Sequence, residues 1–173
     1  MSLSAVHVCP LSKLEQVVTS TNAGHLLSLL AAGTEMVRPP SIPPRNHLHL
    51  VMHDIAQVQE GMTLPGEEHV RSLLDFACRW DRARPLVVHC YAGISRSTAS
   101  AYIIAAALAP WRDEMELAQT LRRLSPSATP NPRLVAVADT LLERNGRMTE
   151  AIRAIGRGAD AFEGTPFELR IEG

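Results

Sequence analysis

The sequence predicts a single α/β domain in which helices pack on a small central sheet, and three observations carry that reading. Short aliphatic runs at 5–9, 25–30, 47–52 and 85–88 have the length and character of strands, and segments of helical periodicity lie between and after them. Aromatic residues make up only 4% of the chain while Ala and Leu abound, a composition suited to helices laid on a sheet. The 173 residues suffice for one substantial core and are too few for two comfortable ones.

Taken in order, Ala5, Val6, His7, Val8 and Cys9 alternate as a first strand that Pro10 ends. Ser12 followed by Glu15 matches a capping box, so a helix is expected there with Leu14, Val17 and Val18 on its apolar side. A polar turn at 19–24 closes it, and 25–30 reads as a buried strand. Pro39, Pro40, Pro43 and Pro44 make 31–45 a stiff, extended surface connection. In 46–55, Leu48, Leu50 and Met52 share one strand face while His47 and His49 share the other. A loop at 55–66 then leads to a helix with Val70, Leu73, Leu74, Ala77 and Trp80 on one side, and Cys78 is expected as a packed core thiol beside them.

Residues 98–108 read as a buried helix, broken by Pro110 and Trp111. A second capping pattern at Asp113 to Glu116 opens a helix with Leu117, Ala118, Leu121 and Leu124 on one face. Asn131 before Pro132 marks another start, and Asn145 with Gly146 marks its end. Within the 1–173 domain, 147–173 reads as a C-terminal extension packed on the body: a short helix near 149–155, a glycine-containing run, and an alternating end that docks as an edge strand or wraps onto the surface.

The chemistry concentrates in the run from His89 to Thr98, which lies between an aliphatic strand and an apolar helix. At a helix N-terminus the first N–H groups have no intrahelical partner and carry the positive end of the macrodipole, so a loop curling over that end presents donors to an oxyanion. Here those donors belong to Tyr91, Ala92, Gly93, Ile94 and Ser95, and Gly93 permits the turn. Arg96 can grip two phosphate oxygens with its planar fork. The same field favours the thiolate of Cys90, the nucleophilic form. Cleavage of a phosphate ester also needs a proton for the leaving oxygen, and Asp54, at the end of a neighbouring strand, can supply it; Glu60, Glu67 and Glu68 are the rival acids.

The form His-Cys-x-Ala-Gly-x-Ser-Arg-Ser, with five residues between Cys90 and Arg96, resembles the signature loop of the cysteine-based protein tyrosine phosphatase superfamily. It is most similar to the small dual-specificity-like, bacterial-type tyrosine phosphatases. Rhodanese-type sulfurtransferases, with a similar loop, generally have one residue fewer. The resemblance implies a dual-specificity-phosphatase-like fold with a mostly parallel sheet. It also implies a cysteine-dependent phosphatase, a hydrolase of phosphate monoesters such as phosphotyrosine or other phosphoprotein residues, working through a phosphocysteine intermediate without cofactor or metal. Cys90 then matches the nucleophile, Arg96 the phosphoryl-binding cation and Asp54 the general acid. Ser97 matches the hydroxyl that helps sulfur leave, and His89 the residue that orders the loop from behind. The alternative is a phosphate-binding module that uses the same loop with little or no turnover.

Other classes fit poorly. A net charge of −1 implies no general attraction to nucleic acid or to a membrane. The start lacks the pattern of a signal peptide, the longest apolar run falls short of the roughly 18 residues of a bilayer span, and three cysteines are too sparse for a disulfide framework, so a cytoplasmic protein is expected. His47, His49 and His53 lack the helical spacing or thiolate company of a metal site. Because the loop carries no cation besides Arg96, the expected substrate is a phosphorylated protein or small aryl phosphate rather than a multiply charged inositol phosphate.

Overall fold

A computed structural model of the chain describes residues 4–173; the first three residues, part of the start that lacks a signal-peptide pattern, lie outside the described residues. Five strands, β1 (Ala5–Pro10), β2 (His25–Leu30), β3 (His47–Val51), β4 (Leu86–Cys90) and β5 (Phe167–Arg170), form one sheet in the order β3-β2-β4-β1-β5. β1 to β4 run parallel, and β5 pairs antiparallel with β1, setting Ala5 opposite Arg170 and Val8 opposite Phe167. The sheet is thus mostly parallel, as expected. The C-terminal end has taken the edge-strand position, one of the two placements open from the sequence.

β4 is central and buried along its whole length, because a parallel strand covered on both faces has no polar side. Its residues divide between two layers. Val87 joins Cys9, Leu26 and Ile42 under α1 (Leu14–Thr21), whose Leu14, Val17 and Val18 close that face. Leu86, Val88 and Cys90 face the larger core. That core is built with α2 (Glu67–Arg79), α3 (Arg96–Leu108), α4 (Glu114–Leu124), α5 (Pro132–Leu141) and α6 (Arg147–Ile155). α3 packs against α2, α4, α5 and the sheet, and Ala99, Ala101, Ala105 and Ala106 keep it slim enough for that company. At its C-terminal end the buried Arg144 donates to the Ala106 carbonyl at 2.7 Å and to the buried carboxylate of Glu114 at 3.0 Å, tying the end of α3 to the start of α4.

Several local expectations are corrected. The Ser12–Glu15 capping box does not form: Leu11–Lys13 is a 3-10 turn, α1 starts at Leu14, and the Ser12 hydroxyl donates to Glu163 at 2.7 Å. A tertiary acceptor has displaced the local one. In α2 the buried stripe runs Val70, Leu73, Phe76 and Ala77, and Cys78 is exposed, since it falls one position past the core-facing arc. Leu124, the last residue of α4, is 41% exposed. The cap at Asp113 is real, accepting from the N–H groups of Met115 and Glu116, but Glu116 bonds Arg112 instead of completing a reciprocal box. Asn131 caps α5 with Pro132 in its first turn, as expected. Among the described residues no helix is long and apolar enough to cross a membrane.

Replacing Glu114 with Ala leaves the Arg144 guanidinium buried without its counter-charge. A loss of about 3 to 5 kcal/mol is expected, read as a lower midpoint in urea denaturation with an unchanged slope.

Candidate active site

β4 ends on Cys90 and α3 begins at Arg96, so the loop between them must reverse direction within a few residues. Gly93 makes the turn at φ +70°, and it lies so close to β1 that a Cβ there would stand 2.7 Å from the Pro10 nitrogen and 2.9 Å from the Cys9 carbonyl carbon. Leu11 N–H donates to the Tyr91 carbonyl at 3.0 Å on the same side. The Cys90 side chain is buried, with its sulfur 3.1 Å from Ser97 Oγ and accepting from the Gly93 N–H at 3.2 Å. Arg96 is buried too, and one terminal nitrogen donates to the Met52 carbonyl at 2.9 Å. Its buried Nε has no acceptor among the described residues, and a guanidinium donor of that kind suits an oxyanion.

Asp54 follows β3 and reaches the loop from the other side. Its Oδ1 accepts from Ser95 Oγ at 2.7 Å and from Asn131 Nδ2 at 2.9 Å. Asn131 serves two ends at once: its Oδ1 caps α5 through the N–H groups of Arg133 and Leu134, and its amide nitrogen holds Asp54 and the Ile55 carbonyl. The loop carrying Asp54 is pinned by His53, whose N–H donates to the Thr63 carbonyl and whose Nδ1 accepts from the Thr63 N–H, both at 2.9 Å. Of the rival acids, Glu67 is paired with Arg71 at the surface.

Behind the loop His89 is fully buried. Its Nδ1 lies 3.0 Å from the Cys90 carbonyl and its Nε2 2.7 Å from Ser28 Oγ, which in turn lies 2.9 Å from His47 Nε2. Burial pushes His89 down to about 4, helped by the nearby charges of His47, His49 and Arg96 and opposed by the bond to the Cys90 carbonyl. Burial, with His49 and Arg38 beside it, takes His47 to about 4 as well. On the other face of the sheet, burial and then the charge of Cys90 push the Cys9 thiol up to about 12, which leaves it inert.

The fold therefore brings together Cys90, Arg96, Ser97, the loop residues Tyr91 to Ser95, His89 behind them and Asp54 in front. Sequence reasoning saw Asn131 only as a cap, because its second role depends on a partner far along the chain. It passed over Ser28, although a hydroxyl inside the aliphatic run of β2 signals a buried polar partner. It also missed the tail: Gly164 N–H donates to the Ala92 carbonyl at 2.8 Å, and a Cβ on Gly164 would stand 2.6 Å from the Gly93 carbonyl oxygen. Among the described residues no group of three or more His, Cys, Asp or Glu side chains is arranged to hold a metal. His47 and His49 instead stack on each other at 6.0 Å.

No protein-family model matches the sequence, and no curated protein matches it. The solved structures do. The crystal structure of DUSP15 is similar with a TM-score of 0.64 at 15% identity, over 89% of this chain and 94% of that one. Human DUSP28 gives 0.60 at 14% identity, covering 87% and 95%. The PTP-2 phosphatase of Cydia pomonella gives 0.59 at 18%, covering 81% and 90%. The chain thus has the fold of the cysteine-based protein tyrosine phosphatases in its dual-specificity form.

The depressed histidines set a pH limit on the fold. Below about pH 6.5 an unfolded chain protonates both rings while the native state keeps them neutral until about 4, so unfolding takes up protons across that window. Stability is expected to be full above pH 6.5 and to fall progressively toward pH 4, and denaturant titrations across the range in wild type and His89→Gln should show a shallower decline in the variant.

Proposed function

From the cysteine-based phosphatase fold and the groups gathered at its loop, we propose that the chain is a cysteine-dependent phosphatase acting on phosphate monoesters, foremost phosphotyrosine and other phosphorylated residues of proteins. One observation carries the reading. The Cys90 sulfur lies beside the first turn of α3, bonded by the Gly93 N–H and Ser97 Oγ, while Asp54 is held across the loop by Ser95 and Asn131.

The reaction follows from that placement. The Cys90 thiolate attacks phosphorus, the bond to the ester oxygen breaks, and the loop N–H groups with Arg96 stabilise the equatorial oxygens. The leaving oxygen takes a proton from Asp54. Both Ser95 and Asn131 donate to Oδ1, so the acid carries its proton on Oδ2. Water then attacks the phosphocysteine, returns a proton to Asp54, and expels the sulfur as thiolate. Ser97 Oγ, 3.1 Å away, stabilises that leaving sulfur. Arg96 is the single cation of the loop, and Tyr91 stands 61% exposed on it, an apolar wall suited to an aromatic ester. A free nucleophilic thiol also suits a reducing compartment, which supports the reading of a cytoplasmic protein.

Turnover of p-nitrophenyl phosphate is expected to vanish in Cys90→Ser. Asp54→Asn should lower kcat by about a hundredfold or more on phosphotyrosine peptides, and less on p-nitrophenyl phosphate, whose leaving group needs no proton. Hydrolysis that survives Cys90→Ser would reject the mechanism. Tight vanadate binding without turnover in the wild type would assign the chain to the phosphate-binding alternative. In Ser97→Ala, the second step should become limiting, seen as a burst of p-nitrophenol followed by a slow steady state.

A further inference from the structure

We propose that Ser28 and His47 are positioning residues for Cys90: a directed chain of hydrogen bonds, His47 to Ser28 to His89, locks the His89 ring with its Nδ1–H on the Cys90 carbonyl and thereby sets the geometry and polarity of the phosphate loop. This rests on the reading of Cys90 as the nucleophile.

The direction of every bond follows from one end. A carbonyl oxygen can only accept, so His89 Nδ1, 3.0 Å from the Cys90 carbonyl, carries a proton. With the ring held neutral by burial, Nε2 is then a lone-pair acceptor, and Ser28, 2.7 Å away, donates to it. The Ser28 oxygen in turn accepts from His47 Nε2–H at 2.9 Å. With the His89 ring neutral, no other assignment satisfies all three contacts. Sheet register produces the arrangement: Ser28 on β2 stands directly opposite His89 on β4. Ser28 and His89 are both fully buried, and a buried hydroxyl in an otherwise aliphatic strand is costly unless it is bonded.

Without the Ser28 donor only the Cys90 carbonyl opposes the other His89 tautomer, in which Nε2 carries the proton and the Nδ1 lone pair faces the carbonyl lone pairs at 3.0 Å. The ring would have to turn away. The Cys90 carbonyl shares its peptide unit with the Tyr91 N–H, the first donor of the loop, so a bond on the carbonyl makes that N–H a stronger donor. The far end of the chain reaches the surface. His47 lines an open groove of about 890 Å³ together with His49, Arg38, Glu15 and Glu35, which are the charged and titratable groups that face it, while Arg96 and Cys90 stand at the other end.

The test uses the full chain with the exposed thiol removed by Cys78→Ser, and follows the pH dependence of Cys90 alkylation by iodoacetamide alongside kcat and KM on p-nitrophenyl phosphate. Ser28→Ala is expected to shift the alkylation midpoint upward by about half a pH unit and to lower kcat about five- to tenfold, with KM nearly unchanged. Ser28→Thr, which keeps the hydroxyl, should restore both. His47→Leu should move both in the same direction by less, and His47→Gln, which retains an N–H, should reverse the shift. An unshifted alkylation midpoint and kcat in Ser28→Ala and His47→Leu would overturn the proposal. A lowered melting temperature with an unshifted midpoint would overturn it as well, by reducing the chain to packing. If Ser28→Ala does not fold, His47→Leu at the partly exposed end decides. Alkylation needs only the thiol, so an inactive parent protein would reject the phosphatase reading and still leave this comparison decisive.

Discussion

The contact between Gly93 and the Cys9–Pro10 backbone governs the rest of this structure. Between the end of β4 at Cys90 and the start of α3 at Arg96 the chain must reverse while lying flat on the end of β1, and only a residue without a Cβ can do so at that distance and at positive φ. The reversal brings the Cys90 sulfur within 3.2 Å of the Gly93 N–H and 3.1 Å of Ser97 Oγ, next to the unpaired amides of the helix start. Any widening of that turn moves the sulfur away from both donors.

So tight a loop holds its shape because distant segments fasten it. The carbonyls of Tyr91, Ala92, Ile94 and Ser95 accept from Leu11, Gly164, Thr129 and Asn131 respectively. Carbonyls engaged outward keep their negative ends from an anion, so the same bonds that brace the loop also shape its field. Arg96 is steadied by the Met52 carbonyl at the end of β3, and Asp54 lies two residues beyond that point, so the guanidinium and the carboxyl group are set by one strand end. The C-terminal segment belongs to this bracing. β5 completes the sheet beside β1, and Gly164 just before it closes on the loop.

Where sequence reasoning went astray, a long-range partner had outcompeted a local one. Ser12 and Glu15 have the spacing of a capping box, yet Glu163, remote in sequence, takes the Ser12 hydroxyl. Cys78 sits next to an apolar stripe and still faces solvent, because a helix turns about 100° per residue and α2 gives the core to Phe76 and Ala77. Asn131 was legible as a cap from its neighbour Pro132, and its hold on Asp54 was not, since a side-chain amide has two ends and only one is spoken for locally.

By itself the sequence determined the strand and helix alternation, the strand–loop–helix around Cys90, and the thiol, guanidinium and glycine at its heart. Those are matters of local periodicity and of side-chain chemistry at fixed spacing, and neighbours along the chain suffice to specify them. Only the tertiary structure decided that the sheet runs β3-β2-β4-β1-β5 with the C-terminus at its edge, that Asp54 meets Ser95 and Asn131, and that Ser28 stands opposite His89. Register between strands is set by how two faces of a sheet are covered at once, and that is a property of the whole chain.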